Sequence, residues 1–298
     1  MTQVGYYLTE LIEQTQANYR HMAPEDVKRL KSLFKTTRSA MCFQLPKDGI
    51  LFEDNPTLVG IPLDAEGFAR PAYPVIVLEF DLTLFDNSIE QVVVIVMDSP
   101  TMQLADGRVG GAMCIPTFKT VGEGNWKSAM YGYILPYDTL GVSRDTGWVH
   151  NIGLFPVMPH AVQMMAESDG RGDDVTGFME DVYREDTCHY VRGYLQLCGA
   201  LGAHEVTFDD IEPDAAKNKM RRARGKMPLF TYKVLTIGKK KPKSRRLGGT
   251  HASPRSHLRR GHYRTSQKGV RHWVQPCMIK GETDGFVHKD YRVEAEAA

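Results

Sequence analysis

Residues 215–281 hold 20 Lys or Arg and neither Asp nor Glu, in a chain of 298 residues with 37 basic and 36 acidic side chains. The remainder therefore carries 17 basic and 36 acidic side chains, a net of −19 concealed within a formal net charge of +1. An acid-free cationic stretch cannot form a core, because each buried cation needs a partner that the stretch does not contain. It must face solvent or meet a polyanion. The charge pattern divides the chain into an acidic body, residues 1–212, and a basic C-terminal region, residues 213–298.

The body has the means to fold. The chain is 42% hydrophobic and 24% charged, which excludes a disordered or fibrous polymer. Cys42, Cys114, Cys188, Cys198 and Cys277 are far apart with no CxxC pair, so reduced and buried thiols are expected. The opening MTQVGYYLTELIEQ lacks the basic-then-apolar order of a secretory signal. The apolar run Val92–Met97 is far shorter than the roughly 20 residues that span a bilayer. The expectation is a cytoplasmic protein with no membrane partner.

Helical spacing of Tyr7, Leu8, Leu11, Ile12 and Tyr19 predicts a first helix, and Ala23-Pro24-Glu25-Asp26 starts a second that runs to about Thr36. The β-branched runs Val75–Leu82 and Gln91–Met97, joined through Asp86-Asn87-Ser88, predict a central hairpin. Short strands follow over Gly111–Phe118, Ala129–Leu135 and Gly153–Val157. No crossover helix separates them, which favours an antiparallel sheet. Three- and four-residue steps from Phe178 to Leu201 predict a long helix near 175–201, whose acids have the charge to cover the basic surface. The fold class expected is α+β: an antiparallel sheet body with N-terminal helices and that long helix, plus a small basic C-terminal β region.

In the basic region, Asp214 opens a small helix carrying Arg221 and Arg222, with Gly225 as its stop, and Leu229–Ile237 reads as a strand. Residues 238–256 include Lys239, Lys240, Lys241, Arg245, Arg246 and Arg255, and are expected to form a mobile basic loop. Four of the ten histidines, His251, His257, His262 and His272, fall within 250–273. Among them lie Arg259, Arg260, Arg264, Lys268 and Arg271. Ser266-Gln-Lys-Gly269 supplies a turn between a segment centred on Tyr263 and the strand Arg271–Gln275, so a hairpin is expected. A closing strand over Phe286–Val293 would join this small sheet.

Phosphates are the commonest partner of such a cluster, with Arg as a planar fork and Lys as a point charge. Tyr232, Tyr263 and Trp273 add rings on which unpaired bases can stack. Absence of a recognition-helix or zinc-finger pattern favours RNA or single strands over duplex DNA. The histidines raise a second possibility, a metal-independent ribonuclease in which His257 and His262 move protons between a ribose 2′-hydroxyl and a leaving oxygen. A third is an interaction protein or inhibitor that docks on an acidic host protein. Zinc ligation by His251, His257, His262 and Cys277 fits no compact spacing, and the motifs GxxxxGK[ST], GxSxG and HExxH are missing, so neither metal nor cofactor is expected.

The runs Lys219–Leu235 and Gly249-Thr-His-Ala-Ser-Pro-Arg-Ser-His-Leu-Arg-Arg-Gly-His-Tyr-Arg264 resemble a functionally unassigned family of tailed-bacteriophage and prophage proteins over about the last third of the chain. The resemblance implies a bacterial host cell and brings no activity with it. The glycine-histidine segment followed by a strand is more loosely similar to mRNA interferase toxins of the HicA and RelE type, on too few residues to carry over catalytic positions.

Overall fold

The structure, a computed structural model, describes residues 6–51, 68–84, 86–103, 107, 109–127, 130–137, 140–142, 149–150, 152–172, 174–183, 187–202, 206–237, 257–259, 262–265, 271–274, 277–279 and 291–295. Its elements in chain order are α1 (Tyr7–Asn18), α2 (Pro24–Thr36), β1 (Met41–Gln44), β2 (Val75–Thr83), β3 (Ile89–Gln103), β4 (Val109–Thr120) and β5 (Tyr131–Pro136). The short β6 (Gly141–Val142), β7 (Val149–His150) and β8 (Gly153–Pro156) precede α3 (Pro159–Ser168), α4 (Val175–Tyr183) and α5 (Thr187–Gly202). Then come β9 (Val206–Ile211), α6 (Ala215–Ala223), β10 (Tyr232–Ile237), β11 (His257–Arg259), β12 (His262–Thr265), β13 (Arg271–Val274), β14 (Cys277–Ile279) and β15 (Tyr291–Ala295).

The protein is α+β. Nine strands form one mixed sheet in the order β8-β5-β4-β3-β2-β1-β15-β10-β9. The expected central hairpin is present: β2 and β3 pair antiparallel from Val75↔Met97 to Thr83↔Ile89. Asn87 makes its turn at φ 63°, and Asp86 Oδ1 accepts from the Ser88 amide at 2.9 Å and hydroxyl at 2.6 Å.

β3 is apolar at consecutive positions because both faces of the sheet are covered. Val92, Val94 and Val96 meet Phe178, Tyr194 and Leu195 of α4 and α5 in one core, while Val93 and Ile95 join Leu8, Leu11, Leu30 and Phe34 of α1 and α2 in another. Cys42, Cys114 and Cys198 are buried free thiols, and burial pushes Cys198 up to about 12, which keeps it protonated and unreactive.

Two expectations change. The sheet is antiparallel from β8 to β2, then β2, β1, β15 and β10 pair parallel in succession, and β9 closes the edge antiparallel to β10. The closing strand does not join the basic hairpin. It pairs with β1 through Phe43↔Tyr291 and with β10 through Lys233↔Tyr291. A strand's partner is set by long-range hydrogen bonding that local alternation does not encode. The division at 212/213 is thus one of charge rather than of sheet, since strands from both sides share the same ladder order. The long helix is described as α4 and α5, with 184–186 outside the described residues.

Helices α1 and α3 lack side-chain caps of their own, and buried carboxylates from elsewhere serve instead. Glu79 on β2 accepts the Leu8 amide at 2.8 Å and the Tyr7 amide at 3.3 Å. Asp26 on α2 accepts the amides of Ala161 at 3.1 Å and His160 at 3.3 Å. Both satisfy first-turn N–H groups that have no partner within the helix.

Helix α5 touches the loop after β1 at Gly49, whose φ is +64° and where an added Cβ would stand 3.0 Å from the Gly193 Cα. Asp48 Oδ1 fixes that loop by accepting the Thr83 amide at 2.6 Å. Gly49→Ala is expected to cost about 2 kcal/mol, from left-handed strain plus backbone collision. Gly122→Ala, at φ +98° with nothing within 4 Å, suffers the strain alone. Urea unfolding of both variants checks this; equal losses would show that the α5 contact is loose.

Candidate nucleic-acid interface

The basic segment leaves the sheet at β10 and returns at β15, its immediate parallel neighbour. Between them, β12 pairs antiparallel with β13 through His262↔Val274, Tyr263↔Trp273, Arg264↔His272 and Thr265↔Arg271, the hairpin expected from the sequence. β11 pairs with β14 through His257↔Ile279, Leu258↔Met278 and Arg259↔Cys277. The two ladders are separate two-stranded sheets, β12 and β13 nested in sequence between β11 and β14, and together they are the basic ribbon.

Register fixes strand parity within each ladder. In β12–β13, Tyr263, Arg271 and Trp273 occupy positions on one face and His262, Arg264, His272 and Val274 the other; in β11–β14, His257 and Arg259 share a face. Tyr263 and Trp273 are directly opposed, whereas Tyr232 is buried in the body with its hydroxyl donating to Glu79. Lys239, Lys240, Lys241, Arg245, Arg246, Arg255 and Arg260 lie outside the described residues.

Helix α6 starts as its sequence implies: Asp214 Oδ1 accepts the Ala216 amide at 2.8 Å, and Gly225 follows its end at φ +68°. Its two candidate cations have different surroundings. Arg221 is held inside the protein, with Nη2 2.5 Å from Glu13 Oε1 and Nε donating to the Met227 carbonyl at 2.8 Å. Lys226 adds a second contact to Glu13 at 3.6 Å. Arg222 is exposed. The acid that meets the basic region here is on α1.

Arg221→Gln is expected to lower stability by about 1 kcal/mol while changing nucleic-acid affinity little, and Arg222→Gln to do the reverse. Thermal melts and gel shifts on both variants decide it; an Arg221→Gln protein with native stability would show that the Glu13 contact is not structural.

The acidic label also concealed cations on the body. Lys31, Lys35 and Arg38 project from α2 and the turn after it into a pocket of about 230 Å³, whose other walls are Gln16, Tyr19, Phe34 and Met227. None of the ion pairs among the described residues involves these three cations. The available signal was their spacing of four and then three residues, which keeps them on one helical face without an intervening acid.

Among the described residues no helix is long and apolar enough to cross a membrane. No family model, curated protein or solved structure matches the chain.

Proposed function

We propose that this protein binds nucleic acid, RNA or single strands in preference to duplex DNA, through the basic ribbon between β10 and β15. The observation that carries the reading is the register: it sets Tyr263 opposite Trp273 and puts Arg271 on that same face, with Arg259 in the accompanying ladder. An aromatic pair flanked by guanidinium positions suits unpaired bases, which stack on rings while their phosphates meet the cations. Anchoring both ends of the segment in the main sheet supports presentation of the ribbon from a rigid body, which limits the ordering cost of binding. A role in a phage-infected or prophage-bearing bacterium fits the resemblance of the C-terminal third.

Gel-shift titrations with single-stranded RNA, single-stranded DNA and duplex DNA at two salt concentrations test the proposal. Affinity that falls steeply with salt supports it. Indifference to all three polymers with capture of an acidic host protein would replace it with a docking role. Cleavage in EDTA leaving a 2′,3′-cyclic phosphate would restore the nuclease.

A further inference from the structure

We infer that the pocket between the end of α1 and the exposed face of α2 seats a phosphate group, with Lys31, Lys35 and Arg38 as its charge partners. All of these groups lie outside the basic segment, so the site goes beyond the ribbon and stands without it.

Three like charges on one helical face repel each other, and nearby carboxylates usually relieve the cost. None is paired with them among the described residues. Cations near the C-terminal end of α2 complement its macrodipole, which accounts for Lys35 and Arg38 but not for Lys31 in the preceding turn. Lys31 Nζ is instead drawn over the Tyr19 ring, 5.3 Å from its centre, at the edge of the pocket.

Phosphate matches this set better than carboxylate. It offers more acceptor oxygens than two and charge enough for three cations, including the planar fork of Arg38. Phe34 and Met227 close the pocket with apolar surface. A volume of about 230 Å³ is below the range of roughly 300–1,000 Å³ typical of sites for whole cofactors, which points to a phosphate and little beyond its adjoining sugar. Its source is either a small phosphate ester or the backbone of a nucleic acid strand.

Calorimetric titration of the full chain with inorganic phosphate at low salt, and with a short single-stranded RNA, tests the site and separates the sources. Lys35→Gln with Arg38→Gln is compared with Lys28→Gln and Arg29→Gln, which removes the same charges from exposed positions of α2 outside the pocket. The first pair is expected to weaken phosphate binding about tenfold and the second less than about twofold. Equal weakening by both pairs, or no saturable heat from the wild type up to about 10 mM phosphate, would overturn the site. If RNA affinity also falls selectively with the first pair, the phosphate is a strand's; if only inorganic phosphate responds, it is a small ester's. Failure of RNA to bind at all would remove the ribbon reading and leave the phosphate measurement intact.

Discussion

Wild-type protein is expected to lose on the order of 3 kcal/mol of unfolding free energy as pH rises from about 4.5 to about 7, a loss that Glu79→Gln abolishes. Glu79 is fully buried on β2, and burial pushes its carboxyl up from an ordinary value of 4.5 to about 7, against the lowering effect of the Leu8 amide, the Tyr232 hydroxyl and the Tyr7 amide. Because the folded-state value is the higher one, the folded protein holds this proton through a window in which the unfolded chain has released it. The stabilisation is complete below about pH 4.5, declines across the window and is gone above about 7.

Glutamine keeps the acceptor that serves Leu8 and Tyr232, both at 2.8 Å on Oε1, and forfeits only the 3.3 Å contact to Tyr7 on Oε2. Glu79→Ala instead strands three buried donors and is expected to cost about 2–4 kcal/mol at every pH. Urea unfolding at pH 5 and pH 8 reads the difference between wild type and Glu79→Gln, which cancels the other titrating groups. An unchanged pH slope in the glutamine variant would mean that Glu79 does not carry the effect.

The second large effect concerns the ribbon. Replacing Arg259, Arg264 and Arg271 together by Gln is expected to reduce the steepness of log affinity against log salt by about 1.4, at roughly 0.7 per phosphate contact of Arg259 and Arg271 with a single strand, Arg264 lying on the face away from the aromatic pair. Tyr263→Ala is expected to weaken binding by about 1–3 kcal/mol while leaving that slope unchanged, because stacking releases no counterions. The two variants thus separate charge from stacking in one salt series. An unaltered slope after loss of three guanidinium groups would remove the ribbon from the interface, and a wild type that ignores every nucleic acid at low salt would remove the interface itself.

Which parts of this were legible in the sequence follows from the range of the interactions. Helices α1, α2 and α6 could be read because their apolar spacing, and for α6 the Asp214 cap and Gly225 stop, are local events within a few residues. The β2–β3 hairpin and the β12–β13 hairpin were legible for the same reason, each pairing across a short link. The β11–β14 ladder was not, since it joins residues about twenty apart in sequence with no short turn between them.

At the candidate site, the basic segment stood out by composition, but composition treats its cations alike. It could not separate Arg221, committed to Glu13 across 208 residues of chain, from the exposed Arg222 beside it. Nor could it notice Lys31, Lys35 and Arg38 within a stretch whose total charge is acidic, because a total averages over faces that folding keeps apart.

By itself, then, the sequence determined the charge division, the local helices and hairpins, and the segment available to a phosphate polymer, all of which depend on near neighbours or on counts. Tertiary structure alone decided that β15 lies between β1 and β10, that Glu79 and Asp26 cap helices to which they do not belong, and that Tyr19 meets three cations around one pocket. The physical reason is common to all three. Hydrogen-bond satisfaction and charge pairing are settled by proximity in space, and proximity between distant residues exists only after the core on both faces of the sheet has closed.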